Sequence, residues 1–352
     1  MFSDADIQKF KDAWEKISES QKVLLVSHLN PDVDALSSLG TFIEILKENN
    51  KEYVAWAEGK DDNFNFLFSD GEIIGQREKL FSIISQRFNQ GQEISDDFFK
   101  FFDLVIILDC GSMERTSLAP FIFKSQELKL GTSIIEFDHH LPIKTYADIE
   151  IRIPLASTTE ILYHFLEINN IFINRSIANC LLAGILSDTA NFLYPSVSGE
   201  TLEISSKLMI AGAQFPKLLN YTWRNKNFSE MKLLGLAIAN LKINKKYNLA
   251  FSVFTYDDLE KNRITLSSLN NDVFGDIVGF LSNLSDTNIV MLLREDKIGR
   301  IKGSLRVGVT NSGVDIDSTK LAAIFGGGGH KKASGFVIDG HIIKNKDNLK
   351  IV

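Results

Sequence analysis

Four short stretches gather most of the residues that could do chemistry. They are His28-Leu29-Asn30-Pro31-Asp32-Val33-Asp34, Asp109 in LDCGSMER, Asp138-His139-His140, and Asp188 in GILSDT. The first three each follow an apolar run. Asp32, Asp34, Asp109, Asp138 and Asp188 would repel one another if drawn together. Lys and Arg are scarce in these stretches, so divalent cations are the economical counter-charge. A mixed carboxylate and imidazole set suits manganese, iron or zinc better than calcium. Two such ions bridged by one carboxylate form a standard device for cutting phosphate esters. Of six histidines, His28, His139, His140 and His330 fall in candidate motifs, whereas His164 and His341 read as a helix surface and a late strand or loop. A lone histidine reads as structural. Asp-His-His beside two other clusters reads as a ligand set. The pair Asp32 and Asp34 is ambiguous alone, because such residues cap helices, and Asp34 could do both jobs.

A second group lies near the C-terminus. Arg294, Lys297, Arg300, Lys302 and Arg306 cluster, and Arg300, Lys302 and Arg306 could share one strand face. Lys297 and Arg300 read as a solvated, charge-guarded strand edge. Further on stand Gly326, Gly327, Gly328 and Gly329, followed by His330, Lys331 and Lys332. Four glycines cost chain entropy and suit a backbone that approaches a ligand closely or bends where a side chain would clash. Their N–H groups could cradle a phosphate or a base edge.

Elements must carry these residues to one place. Residues 4–19 have the spacing of an amphipathic helix, and KVLLVS (22–27) reads as a buried parallel strand. Helical spacing follows over 34–49, a strand over 52–57, and a polar helical pattern over 72–102. DLVIIL (103–108) ends at Asp109, and TSIIEF (132–137) ends at Asp138. Residues 157–169 and 174–187 are helical. Alternating strands and helices predict a mostly parallel sheet, and ligands bind outside the carboxyl ends of its strands. The acids lie at those ends rather than on helix faces, which argues against mere surface charge. Residues 199–243 read as a helical connector, and strands recur at 249–254, 289–293 and 300–307. The expected fold is α/β. A mostly parallel N-terminal sheet flanked by helices spans 1–200, a helical linker spans 201–243, and a smaller α/β domain spans 244–352.

Length and composition fit this reading. The 352 residues are 44% hydrophobic and 24% charged, with a formal charge of −7. That is ordinary for a globular chain of two domains. A grip on long duplex DNA through the whole surface would need a basic protein. The two cysteines, Cys110 and Cys180, are too few for a disulfide framework and read as buried thiols. The N-terminus lacks the charge-then-apolar pattern of a signal peptide, and no apolar run reaches a membrane span. A cytoplasmic location is expected, with no membrane partner.

These residues resemble the DHH phosphoesterases, which include RecJ-like exonucleases, manganese-dependent pyrophosphatases and nanoRNases. SHLNPDVDALSS, LDCGSME, EFDHH and GILSDT, the last preceded by Ala156-Ser157-Thr158-Thr159-Glu160, stand in the family's order. GSLRVG and FGGGGHKKASG resemble the DHH-associated substrate-binding domain of the nanoRNase branch. The likeness covers about residues 20–340. It implies that His28, Asp32 and Asp109 hold one metal, and that Asp34, Asp109, His139 and Asp188 hold another. Asp109 would bridge two divalent ions, most readily Mn²⁺. Asp138 would orient a histidine, and His140 would face the scissile phosphate. Arg306 would contact a substrate phosphate, with Gly326, Gly327, Gly328, Gly329 and His330 as the far wall. Where the family often has Asp-Pro-Asp-Gly-Asp, this chain has Asn30-Pro31-Asp32-Val33-Asp34. It keeps the metal positions but loses a glycine's positive φ at 33.

The expected activity is release of nucleoside 5′-monophosphates from very short oligonucleotides, together with dephosphorylation of 3′-phosphoadenosine 5′-phosphate. Domain closure about 200–240 would suit such small substrates. No separate OB-like module suggests a long-DNA exonuclease, and the glycine-histidine segment separates the chain from the pyrophosphatases. The alternatives are a phosphodiesterase for cyclic di-AMP or linear pApA, and a nucleotide sensor that has lost catalysis. The sensor reading sits poorly with an intact acid and histidine set. A sheet edge, or residues 70–102 as a lid or contact surface, could support a homodimer.

Overall fold

Apolar runs bordered by helices set the architecture of the N-terminal half. The structure, a computed structural model, describes Phe2 to Val352 except residues 61–66, 68–71, 90, 93–97, 128–130, 141–144, 222–226, 265–268, 270–272, 286, 309–315 and 346–347. The chain divides into two units, Met1–Asn225 and Lys226–Val352.

The first unit runs α1 (Asp4–Glu19), β1 (Lys22–Ser27), α2 (Val33–Glu48), β2 (Glu52–Trp56), β3 (Ile73–Ile74), α3 (Arg77–Phe88), β4 (Leu104–Leu108), α4 (Ala119–Glu127), β5 (Ser133–Asp138), β6 (Ile149–Arg152), α5 (Thr158–Ile168), α6 (Arg175–Asp188), α7 (Gly199–Ile210) and α8 (Phe215–Leu219). Its six strands are parallel, in the order β3-β2-β1-β4-β5-β6. Val23 and Leu25 of β1 face a core shared with Phe10, Leu36, Phe42, Phe165 and Leu181. Leu24 and Val26 face the opposite core, with Leu80, Ile84, Phe98 and Ile122. Burial on both faces explains why these strands read as unbroken apolar runs. The strand order reverses between β1 and β4. That switch point opens a crevice at the strands' carboxyl ends, where β1 delivers His28 and β4 delivers Asp109.

Some expectations change. Residues 72–102 are not one helix: they hold β3, α3 and a 3₁₀ turn at Phe98–Phe101. Leu80, Ile84, Phe98 and Phe99 there are buried against the sheet. Residues 70, 71, 90 and 93–97 of the supposed lid lie outside the described residues. Val33 is the first residue of α2 and needs no positive φ, because Asn30 makes the turn at φ 52°. His164 is buried, its ring 4.6 Å from that of Phe2. Both cysteines are free and buried.

The second unit contains α9 (Phe228–Ala239), β7 (Lys242–Asn244), β8 (Leu249–Phe254), α10 (Tyr256–Lys261), α11 (Val273–Leu281), β9 (Ile289–Glu295), β10 (Arg300–Val307), α12 (Ser318–Ile324), β11 (Gly328–His330), β12 (Ala333–Asp339), β13 (Ile342–Asn345) and β14 (Asn348–Ile351). Its sheet is mixed, ordered β11-β12-β10-β9-β8-β7, with β8 and β9 parallel. A β-carbon on Gly303 of β10 would collide with the Phe336 ring, so the glycine lets that ring lie across the sheet. Phe336 stacks on Phe325 at 4.6 Å.

Candidate metal centre and anion pocket

Each part of the N-terminal cluster is placed by a backbone device. After β1, the His28 side chain is buried, and its Nδ1 meets the Leu29 carbonyl at 2.9 Å. That contact puts the proton on Nδ1 and leaves the Nε2 lone pair facing the crevice. Nε2 is buried without a hydrogen-bond partner, 3.9 Å from Asp32 Oδ2. Capping of α2 falls to Asp32, whose Oδ1 accepts from Ala35 N at 3.0 Å. Asp34, expected as a possible cap, lies inside the first turn instead. It is fully buried and accepts from Thr158 N (2.7 Å), Thr159 N (3.2 Å) and Thr159 Oγ1 (2.6 Å). These donors form the start of α5, where backbone N–H groups and the helix dipole favour an anion.

Asp109 follows β4 in a left-handed conformation, φ 57°, and is buried. Its Oδ1 accepts from Thr158 Oγ1 at 2.9 Å. His139 Nδ1 lies 3.3 Å from the Leu155 carbonyl, and its Nε2 lies 3.2 Å from Asp188 Oδ2 and 3.6 Å from Asp109 Oδ1. Asp188 is the last residue of α6. Asp138 is buried and accepts from both the backbone N (2.8 Å) and Nδ1 (2.7 Å) of His140.

Three donor groups converge tightly enough to share an ion: His28, Asp32 and Asp109; Asp34, His139 and Asp188; and Asp109, His139 and His140. Asp109 belongs to two of them. The donor set fits a divalent metal. His28 and His139 both direct Nδ1 at a backbone carbonyl and Nε2 at carboxylates, the orientation that metal-binding imidazoles adopt. The buried Nε2 of His28 has no other use among the described residues.

Without an ion, the electrostatics show crowding. Burial, then the Asp188 and Asp109 charges, holds the Asp34 carboxyl well above its usual range. Burial and the nearby Asp32 and Asp109 push Asp188 up to about 6, against the pull of His139. At Asp109 the upward push of burial is outweighed by His140, His139 and His28, and the carboxyl sits below its ordinary range. Burial alone would lower both imidazoles. Asp188 and its neighbours instead raise His139, while Asp109 and Asp138 raise His140 to about 9.

Sequence reasoning missed several residues here. Thr158 and Thr159, within ASTTE, hold Asp34 and Asp109, a role that their residue types alone do not reveal. Arg115 Nη1 lies 2.9 Å from where a β-carbon on Gly111 would stand, and the His140 ring is 3.6 Å from the same point. Glu136 and Arg152 form a buried ion pair under Asp138. Glu136 falls within the apolar run 132–137, and no strand is expected over 149–152.

In the second unit, Arg294 on β9 and Lys302, Ser304 and Arg306 on β10 line a pocket of about 200 Å³, with Phe274, Gly275 and Leu292. The strands register Arg294 against Lys302, so alternation puts these side chains on one face. The Arg294 guanidinium lies 3.9 Å from the Phe274 ring centre. No carboxylate lines the pocket among the described residues. Arg300 lies outside it, paired with Asp296 at 3.0 Å, and Lys297 lies over the Tyr256 ring.

The glycine run is largely turn and strand. Gly328–His330 form β11, paired with β12. A β-carbon on Gly327 would strike Gly335 O, and one on Gly329 would lie 2.7 Å from Ala333 O. Gly326 has φ 72° and, like Gly328, has open space around it. The His330 side chain lies outside the described residues.

The N-terminal domain of the DHH family matches residues 22–185, and the DHHA1 domain matches residues 261–350. The chain is 28% identical to the bifunctional oligoribonuclease and PAP phosphatase NrnA of Bacillus subtilis, over 91% of this chain and 90% of that one. It is also 28% identical to the cyclic-di-AMP phosphodiesterase GdpP of Geobacillus thermodenitrificans, over 72% of this chain but 39% of that one. The solved structure of an exopolyphosphatase-related protein from Bacteroides fragilis superposes with a TM-score of 0.77 at 24% identity, covering 95% of this chain and 91% of that one. That last likeness speaks to fold alone. The matched domains together span well over half of the chain, in the order DHH then DHHA1, and the chain belongs to the DHH family, as a hydrolase acting on phosphoester bonds.

Proposed function

We propose that this chain hydrolyses very short oligonucleotides to nucleoside 5′-monophosphates with two manganese ions, and also dephosphorylates 3′-phosphoadenosine 5′-phosphate. The observation that carries the reading is the pair of imidazoles, His28 and His139. Each is tied by Nδ1 to a carbonyl and presents Nε2 to carboxylates on either side of Asp109. In this reading His28, Asp32 and Asp109 hold one ion, and Asp34, Asp109, His139 and Asp188 hold the other. Divalent ions held there would supply Lewis-acid charge and would make water a better nucleophile toward phosphorus. Asp138 fixes His140 through Nδ1, leaving Nε2 to donate a hydrogen bond to the phosphate or a proton to the leaving oxygen. Thr158 and Thr159 keep Asp34 and Asp109 oriented. In the C-terminal unit, Arg306, Arg294 and Lys302 bind a further substrate phosphate, a task for which arginine's fork is suited. Of the glycine run, Gly326 and Gly328 have open space for a ligand, and with Gly327, Gly329 and His330 they would contribute to the substrate site of that unit.

The Bacillus subtilis relative supports the oligonucleotide substrate, and the match over nearly all of both chains supports an enzyme of the same domain composition. The Geobacillus relative supports a second reading, a phosphodiesterase for cyclic di-AMP or its linear product. Purified protein with manganese should be assayed on a dinucleotide, a long oligonucleotide, 3′-phosphoadenosine 5′-phosphate, cyclic di-AMP and pyrophosphate, with Asp109→Ala as control. Fast release of mononucleotide from the dinucleotide, lost in the variant, is expected. Preference for cyclic di-AMP would move the chain to the second reading. Binding without turnover of any substrate would make it a sensor.

A further inference from the structure

We propose that Arg152, backed by Glu136, is a positioning residue that clamps the loop carrying Asp109; the inference rests on reading the acid and imidazole cluster as a metal centre. Arg152 lies on β6, in register with Asp138 on β5. Its guanidinium makes a two-pronged pair with Glu136: Nε to Oε2 and Nη2 to Oε1, both 2.7 Å. Its remaining nitrogen, Nη1, donates to the Gly111 carbonyl at 3.1 Å and lies 3.7 Å from Asp138 Oδ2. That same Asp138 oxygen accepts from the Gly111 N–H at 2.5 Å. Gly111 is therefore gripped on both sides, by Asp138 at its N–H and by Arg152 at its carbonyl.

The grip falls where the backbone needs it. Asp109 and Gly111 are both left-handed, at φ 57° and 68°. For a non-glycine residue that conformation persists only when its surroundings over-determine it. Glu136 is fully buried, and the Arg152 side chain is 6% exposed. The Tyr146 hydroxyl also donates to Glu136. A buried charge pair is a poor way to gain stability, since apolar residues of similar volume often serve as well. Directional contacts to Gly111 and Asp138 are what an apolar pair could not supply. Through Gly111 they fix Asp109, and through Asp138 they steady His140.

The test compares Arg152→Met, Arg152→Lys and the double variant Glu136→Leu with Arg152→Leu against the full-length wild type. Manganese affinity is read from free-ion electron paramagnetic resonance, Tm from thermal unfolding, and kcat and KM from dinucleotide hydrolysis. Loss of a supporting contact to a metal ligand typically weakens affinity by about 10-fold to 100-fold. Arg152 touches no proposed ligand and acts one step further out, through Gly111, so Arg152→Met is expected at the low end of that range, about 10-fold, losing kcat with little change in KM, and Arg152→Lys should recover part of the loss. The double variant should regain a wild-type Tm while its manganese affinity stays low. Wild-type manganese affinity in the double variant would reduce the pair to packing and overturn the clamp alone. Absence of manganese binding by the wild type, or equal binding by Asp109→Ala, would overturn the metal-centre reading and the clamp with it.

Discussion

Asp109 combines two demands that rarely meet in one residue. It is buried among three imidazoles, and its backbone is left-handed. Aspartate and asparagine tolerate that conformation better than other non-glycine residues. Asp109→Asn therefore keeps the turn while removing the charge that the proposed site shares between two ions. The variant should fold with a Tm within about 2 °C of wild type in the metal-free state, yet lose about 10³-fold in kcat, a scale typical of removing one preorganised electrostatic element. Circular dichroism melts and a turnover assay decide the matter. A variant retaining most of its activity would mean that Asp109 holds no ion. His28 makes the same point from the opposite side. Nothing else among the described residues satisfies its buried Nε2, so its orientation is explained by what it would bind.

At the scale of elements, the site depends on how closely α6 approaches α2 and α5. Gly184 of α6 faces the Asp34 carboxylate and the Thr159 side chain, and a β-carbon there would collide with both. Gly184→Ala should cost about 1–3 kcal/mol, as overpacking does, and weaken manganese binding as Asp34 is displaced. Unchanged melting and metal titration would show that the helices yield freely. The anion pocket makes a separate prediction. Arg294→Met should raise KM about 10-fold with kcat held within about twofold, the signature of lost uniform binding. Arg300→Met, breaking only an exposed pair with Asp296, should change neither by more than about twofold. The elements that build the site were largely legible in the sequence, because β1, β4 and β5 are buried on both faces and each runs into an ionisable residue, His28, Asp109 or Asp138. β6 was not legible: no strand is expected over 149–152, and only the fold shows Arg152 paired inside with Glu136. The polar helical pattern over 72–102 hides a two-residue strand and a four-residue 3₁₀ turn, both too short to show a period of their own. The glycine run was read as a ligand cradle, yet crowding against β12 accounts for Gly327 and Gly329. Periodicity reports burial, and it is silent on which buried group a side chain meets.

The whole molecule carries a net charge of −7, and part of its acid is gathered in the cluster at the carboxyl ends of β1, β4 and β5. Metal should therefore control stability as well as activity, with a pH dependence whose sign can be worked out. In the metal-free protein His140 is raised from 6.5 to about 9. A group whose folded pKa is raised lends stability that is complete below its unfolded value and is lost as pH climbs through the folded one. Asp188, raised to about 6, behaves alike at lower pH: the folded state holds its proton more tightly, so stability falls as pH rises from the ordinary carboxylate range toward 6. Both contributions decline in the same direction. Metal binding runs the other way, because ions displace protons from imidazoles and carboxylates and so bind more strongly as pH rises. Melting curves from pH 6 to 9, with chelator and with saturating manganese, should therefore diverge. The chelated protein should lose about 5 °C or more between pH 6.5 and 9, and the gap to the manganese-loaded protein should widen steadily. A gap independent of pH would show that manganese does not sit at His139 and Asp188 beside His140, and would remove the physical basis for the two-ion site.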